Sequence, residues 1–154
     1  MARWLALSGI IILLDQLSKW WIERSFELYE SLSLTPFFNL TLVYNEGAAF
    51  SFLSTAGGWQ RWFFVVLGVV ITTVLLTWMH RSRADERLLR FALALVVGGA
   101  IGNIIDRLLY GHVIDFLDFY INDWHWPAFN VADSAIFVGV VLLMLDSLRD
   151  SRRN

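Results

Sequence analysis

The sequence predicts an all-α membrane protein with four transmembrane helices and a small β-sheet in its connecting segments. Three observations predict it. Of the 154 residues 57% are hydrophobic and only 17% charged, against roughly a half and a quarter in soluble domains. Four apolar stretches are each long enough to cross a hydrocarbon core. Finally, the basic residues gather at alternate ends of those stretches.

The first stretch runs over 4–22 and reaches across a bilayer at about 1.5 Å per residue. Arg3 before an apolar run also suits a signal peptide. The run, however, passes into Asp15-Gln16-Leu17-Ser18-Lys19-Trp20-Trp21 without a small-residue cleavage site, so a retained span is the better reading. The second, 62–79, is uniformly apolar and stops at His80-Arg81-Ser82-Arg83. The third, 88–109, turns small and polar at Gly98-Gly99-Ala100-Ile101-Gly102-Asn103, and such glycines allow close helix approach. The fourth, 128–148, follows Pro127, which suits a helix start. The 8 Trp and 16% aromatic residues fit a chain that repeatedly crosses the membrane–water boundary.

Between spans one and two lies a segment longer than a tight helical connection needs. Its alternation at Leu32, Leu34 and at Leu40, Leu42 predicts strands, hence a small sheet resting on the outer leaflet. Neither repeats nor a linker divide the chain, so 1–154 reads as one integral membrane domain. Arg3, Arg81, Arg83, Arg87, Arg90, Arg149, Arg152 and Arg153 fall on one side, with Arg24 and Arg61 flanking the other. By the positive-inside rule both termini are then cytoplasmic. The formal net charge of −2 gives no nucleic-acid footprint, and 0 Cys excludes disulfides, thiolate nucleophiles and thiolate-bound metals.

An ionisable group in hydrocarbon costs at least a few kcal/mol and usually marks function, so the polar residues are ordered by depth. Asp15 and Lys19 fall in the outer half of span one. Asn103, Asp106 and Arg107 lie near the exit of span three, and Asn130 and Asp133 in the first turns of span four. Asn45, Asp115 and Asp118 belong to the outer loops. All converge on one layer, the outer interface. Asn103 with Asp106, Asn130 with Asp133, and Asp15 with Lys19 share helix faces, so each amide is placed to orient the carboxylate one turn on. Plainer readings stand beside these. Asp15 and Lys19 make a self-neutralising ion pair, Arg107 snorkels or pairs elsewhere, Asp118 and Asp123 are solvated loop charges, and Asn45-Glu46-Gly47 is a hairpin turn. Asp133 resists dismissal, since no basic residue lies near it in an apolar helix.

The chemistry is restricted by subtraction. His112 and His125 have no compelling serine partner for a nucleophilic triad. His112, Asp115 and His125 with Asp133 form a possible metal set. Two carboxylates sharing one proton are the alternative, with repulsion and burial raising one pKa so that one is acid and the other base. A small carrier relaying protons or ions through the same aspartates competes with both, as does a purely structural membrane subunit.

Five strings, in order, carry a resemblance: Asp15-Gln-Leu-Ser-Lys19, Asn45-Glu-Gly-Ala-Ala-Phe50, Gly98-Gly-Ala-Ile-Gly-Asn-Ile-Ile-Asp-Arg107, Val113-Ile-Asp-Phe116 and Phe129-Asn-Val-Ala-Asp-Ser134. Together they resemble lipoprotein signal peptidase, signal peptidase II, over nearly the whole chain. The resemblance implies a bacterial inner-membrane aspartic peptidase that cuts prolipoproteins just before their diacylglyceryl-modified cysteine. It implies four spans, a small extracytoplasmic sheet and a short extracytoplasmic helix, with the site at the periplasmic or outer face. It makes Asp115, in the loop before span four, and Asp133 the catalytic dyad. Asn45, Asn103, Asp106, Arg107 and Asn130 become support for the dyad and the substrate backbone, and Asp15 a polar position beside the pocket. Neither metal nor other cofactor is expected. The expected partners are the lipidated prolipoprotein and membrane lipid, with no nucleic acid, and the chain is expected to act as a monomer. The segment from Ser25 to Gln60 and the loop from Tyr110 to Trp126 are the candidates to close over the peptide.

Overall fold

The computed structural model describes residues 1–47 and 58–151. Its four long helices are α1 (Ala2–Ser25), α2 (Trp59–Arg81), α3 (Arg87–Leu109) and α4 (Val131–Ser151), all long and apolar enough to cross a membrane. Between them lie strands β1 (Ser31–Thr35), β2 (Phe38–Asn45), β3 (Val113–Ile121) and β4 (Trp124–His125). They form one antiparallel sheet in the order β1-β2-β3-β4. Helices satisfy their own backbone groups, which lipid requires of a spanning segment. Each of the four predicted stretches falls on such a helix, mostly with a few residues added at its ends.

Helix α3 is the hub. It packs against α1, α2 and α4, and 61% of its apolar window is buried, against 17–22% for the others. The other helices turn Leu13, Leu14, Val66, Val70, Phe137 and Met144 outward, as a lipid-facing surface would. Lipid tails are as apolar as leucine, so helix association depends on close packing and interhelical hydrogen bonds. Gly99 and Gly102 provide the first. A Cβ at Gly99 would lie 2.3 Å from the Ala132 carbonyl oxygen on α4, and one at Gly102 would lie 2.6 Å from Asp15 Oδ2 on α1. Ser8 provides the second, its buried hydroxyl donating to the Ala94 carbonyl at 2.8 Å.

The sheet is planted on the end of α1. Ile22 of α1, Leu42 of β2, and Ile114 and Phe116 of β3 make one buried cluster, flanked by Phe26, Leu40, Tyr44, Leu117 and Val131. Side chains alternate along a strand. Docking Ile114 and Phe116 onto this cluster therefore turns Asp115 to the opposite face.

Three expectations need correction. Asp115 is not in a loop: 113–121 form the central strand β3. Span four begins at Val131 rather than 128, because Phe129 bridges Leu117 and extends the sheet by exchanging backbone bonds with it. Asp118 is buried, accepting from Asn39 Nδ2 at 2.9 Å and meeting His125 Nδ1 at 2.9 Å, whereas Asp123 is indeed exposed. The hairpin reading of Asn45-Glu46-Gly47 runs on into 48–57, outside the described residues. Asn45 ends β2, and its Oδ1 accepts from the Gly47 N–H at 3.0 Å in an Asx turn. Of the segments expected to close over a peptide, 110–126 is largely committed to the sheet. In the other, 48–57 lie outside the described residues, which contain no short helix between the spans.

Candidate active site

The site is built where α4 starts. Asn130 caps this helix: its Oδ1 accepts the Asp133 N–H at 2.9 Å, an N-cap to N3 bond. The cap leaves the Asn130 Nδ2 free to point outward. It donates to Asp115 Oδ1 at 2.7 Å and to the Ile114 carbonyl at 3.2 Å. One fully buried amide thus fixes Asp133 through its backbone and Asp115 through its side chain.

Asp115 has a second donor. Val43 of β2 is its register partner and Asn45 pairs with Val113, so Asn45 is a diagonal neighbour of Asp115 on the same face. Asn45 Nδ2 reaches Asp115 Oδ2 at 2.9 Å. Both oxygens of Asp115 are therefore held by amides from different elements. Asp133, partly buried, accepts from Asn103 Nδ2 of α3 at 2.7 Å. The Asn103 Oδ1 in turn accepts from Lys19 Nζ at 3.1 Å and Asn130 Nδ2 at 3.3 Å.

Behind this front lies a buried ionic cluster. Lys19 Nζ sits 2.8 Å from Asp15 Oδ2 and 2.7 Å from Asp106 Oδ2. All three side chains are 2% exposed or less. Gln16 Nε2 donates to Asp106 Oδ1 at 2.7 Å and to Asp15 Oδ2 at 3.2 Å. Arg107, on the neighbouring face of α3, donates to the Asn103 carbonyl at 3.4 Å and the Gly47 carbonyl at 2.9 Å, and lies 5.0 Å from the Phe64 ring. It ties α3 to the end of β2 and to α2.

Burial, and next the negative charge of Asp133, push the Asp115 carboxyl up to about 7. The donors from Asn45 and Asn130 pull the other way and are outweighed. A carboxyl at that value can exchange a proton near neutral pH. Beside a second carboxylate, the pair can hold one proton between them and serve as acid and base.

All eight residues singled out for this site come together: Asp15, Asn45, Asn103, Asp106, Arg107, Asp115, Asn130 and Asp133. Their pairing differs from the expectation that each amide serves the carboxylate on its own helix. Asn103 holds Asp133 of α4 rather than Asp106, and the Asn130 side chain holds Asp115 of β3. Gln16 was not singled out, being polar beside polar, although its spacing from Lys19 places it on the adjoining face. Asn39 was also passed over, and its alternation with Leu40 and Leu42 was the available signal. The imidazoles stand elsewhere. His125 pairs with Asp118. His112 stacks on Tyr44 at 4.0 Å, burial lowers its pKa, and among the described residues its buried Nε2 finds no hydrogen-bond partner. Among the described residues no three His, Asp or Glu side chains are arranged to hold a metal.

Four helices long and apolar enough to cross a membrane, with a small sheet that brings Asp115 to the start of α4 where Asp133 lies, describe a membrane protein with paired carboxylates. Comparison with known proteins agrees. A family model described as signal peptidase (SPase) II matches residues 7–149. Proteins named lipoprotein signal peptidase are 58% identical, one from Burkholderia mallei (strain SAVP1) over 99% of this chain and 91% of its own length. Another, from Cupriavidus taiwanensis, matches over 98% and 85%. A bacterial membrane enzyme solved by the in meso method at 2.3 Å superposes with a TM-score of 0.91 at 30% identity, covering 100% of this chain and 92% of the other. A second such structure, at 1.9 Å, gives 0.85 at 30% identity, covering 97% and 95%. The chain belongs to the signal peptidase II family, a family of aspartic peptidases.

Proposed function

We propose that this protein removes the signal peptide from prolipoproteins, cutting just before the diacylglyceryl-modified cysteine, with Asp115 and Asp133 as the catalytic pair. The observation that carries the reading is the Asn130 bridge. One capping amide at the start of a helix holds the Asp133 backbone and the Asp115 carboxylate, and the Asp115 carboxyl is pushed up to about 7. The pair begins with one shared proton; with Asp115 as the acid, Asp133 acts as base. Asp133 takes a proton from water as the oxygen attacks the scissile carbonyl, while Asp115 gives its proton to the carbonyl oxygen. Collapse of the tetrahedral intermediate breaks the C–N bond. The proton on Asp133 passes to the leaving amine and Asp115 regains one from the gem-diol. Atoms balance with one water consumed, and no acyl-enzyme forms.

The distribution of arginines supports a topology with both termini in the cytoplasm of a bacterial inner membrane. The sheet and the dyad then face the periplasm, at the depth of the outer leaflet. A diacylglyceryl chain anchored in that leaflet would bring the bond before its cysteine to the dyad. Asn45, Asn103, Asp106, Arg107 and Asn130 serve the pair and the peptide backbone, and Asp15 lies behind them.

The test uses the purified full chain in detergent with a prolipoprotein bearing the diacylglyceryl cysteine, beside the same precursor unlipidated. Mass spectrometry of the products is expected to show a single cut immediately before the modified cysteine, with the unlipidated precursor intact. Equal cleavage of both precursors, or a cut elsewhere, refutes the substrate assignment.

A further inference from the structure

The dyad reading leaves a buried cation unexplained. Lys19 is almost wholly inaccessible, at a depth where an ammonium is expensive. If Asp15 and Asp106 served only to neutralise it, three apolar residues would do as well or better. What the cluster touches gives it a task. Asp15 Oδ1 accepts the Ala132 N–H at 2.9 Å, and Asp106 Oδ2 accepts the Ile114 N–H at 3.2 Å. Ala132 immediately precedes Asp133, and Ile114 immediately precedes Asp115. The two carboxylates that grip Lys19 thus also grip the backbone beside each member of the dyad, one on α4 and one on β3.

The ammonium also donates to Asn103 Oδ1 at 3.1 Å. A carboxamide rotates between two orientations at little intrinsic cost, so its neighbours decide which edge faces Asp133. Lys19 has donors and no acceptor. Together with Asn130 Nδ2, which donates to the same oxygen at 3.3 Å, it turns the Asn103 oxygen inward and the NH2 edge to Asp133, where it donates at 2.7 Å. The reversed amide would set NH2 against ammonium and an oxygen against a carboxylate. The ammonium is thus hydrogen-bonded to Asp15 and Asn103 and ion-paired with Asp106.

We propose that Lys19 is a positioning residue for the peptidase reaction: through Asp15 and Asp106 it sets the spacing of the Asp115 and Asp133 backbones, and through Asn103 it fixes the donor aimed at Asp133. The proposal rests on the dyad reading and adds a residue to it. Lys19 touches neither substrate nor reacting atoms, so its removal acts on the chemical step and leaves substrate capture in place.

The experiment measures kcat and KM separately on the lipidated precursor with the full chain in detergent, alongside thermal unfolding. Lys19→Met keeps the volume but strands two buried carboxylates, so it is expected to unfold at a lower temperature. A triple variant, Lys19→Met with Asp15→Asn and Asp106→Asn, removes that charge imbalance and retains carbonyl acceptors for the Ala132 and Ile114 N–H groups. It is expected to recover much of the lost thermal stability while kcat stays about 10- to 100-fold down, the factor for losing one charge-assisted bond in the transition state. KM is expected to move by less than about threefold. Asp115→Asn and Asp133→Asn are run in parallel. If they are inactive and the folded triple variant keeps a native kcat, the positioning role is overturned and the dyad stands. A fall expressed in KM with kcat unchanged overturns it equally, since that is loss of binding. If the dyad variants themselves cleave normally, both readings fall.

Discussion

Replacing Asp115 by asparagine should change the pH dependence of stability in a way that follows from its surroundings. In the folded protein the carboxyl is raised from 3.8 to about 7 by burial and by the charge of Asp133. A group whose folded pKa is raised contributes stability that is full below its unfolded pKa and lost as pH rises through its folded pKa. The native chain should therefore lose stability between about pH 4 and pH 7, by up to about 4 kcal/mol at 1.36 kcal/mol per unit. Asparagine cannot ionise and removes this slope. It carries a cost of its own, because the two oxygens of Asp115 accept from Asn45 and Asn130 and the substituted amide has one oxygen. One donor is left facing an NH2, at about 1–3 kcal/mol, at every pH. Thermal unfolding in detergent, followed by tryptophan fluorescence from pH 4.5 to 8.5, should show the variant less stable at the acid end. Its deficit should shrink or reverse at the alkaline end, a relative swing on the order of 10 °C for a chain of this size. A difference that stays constant to within about 2 °C across that range would mean the carboxyl is not raised, and the proton assignment would fall with it.

Other consequences follow from packing and capping. Gly102→Ala places a methyl 2.6 Å from Asp15 Oδ2 and 3.3 Å from the Ala132 side chain. It should cost about 1–3 kcal/mol, read as a lowered unfolding temperature, and lower the cleavage rate as well by displacing Asp15. Asn130→Ala deletes the cap on Asp133 and the donor to Asp115 together. A loss of about 2–4 kcal/mol in stability and about 100-fold in kcat is expected from unfolding and turnover measured on one preparation. His112 stacks on Tyr44 away from the dyad. Cleavage by His112→Ala, and by the native chain after chelator treatment, should stay within about threefold of the untreated native rate; a larger fall would favour a metallopeptidase.

Much of this was legible in the sequence, and the misses share a cause. The spans were readable because apolar length is a local property, and the shared layer of Asp15, Asn103, Asp106, Asn130 and Asp133 followed from counting along helices. Strands β1 and β2 showed themselves through alternation at Leu32, Leu34, Leu40 and Leu42. Strand β3 did not. Val113-Ile114-Asp115-Phe116 is buried on both faces, so it lacks the alternation that marks a half-exposed strand. For the same reason Asp118 passed for a loop charge. Pro127 points to a helix start at Ala128, whereas α4 begins at Val131, and Asn130 three residues before Asp133 is also an N-cap pattern. The pairing of amides with carboxylates was out of reach altogether. Helical spacing ranks partners on one helix, whereas Asn103, Asn130 and Asn45 each reach a carboxylate on another element. That preference is set by tertiary packing: Gly99 and Gly102 let α3 approach α4 and α1, and the β2–β3 register sets Asn45 beside Asp115.

The central claim is that Asp115 and Asp133 act together, and initial cleavage rates on the lipidated precursor at neutral pH test it most directly. The native chain, Asp115→Asn and Asp133→Asn would be compared, each first shown by thermal unfolding to be folded. The account predicts that either substitution alone lowers kcat by at least about 10³-fold, because neither carboxyl can serve as both acid and base. A folded variant of either kind that cleaves within about tenfold of the native rate would contradict it.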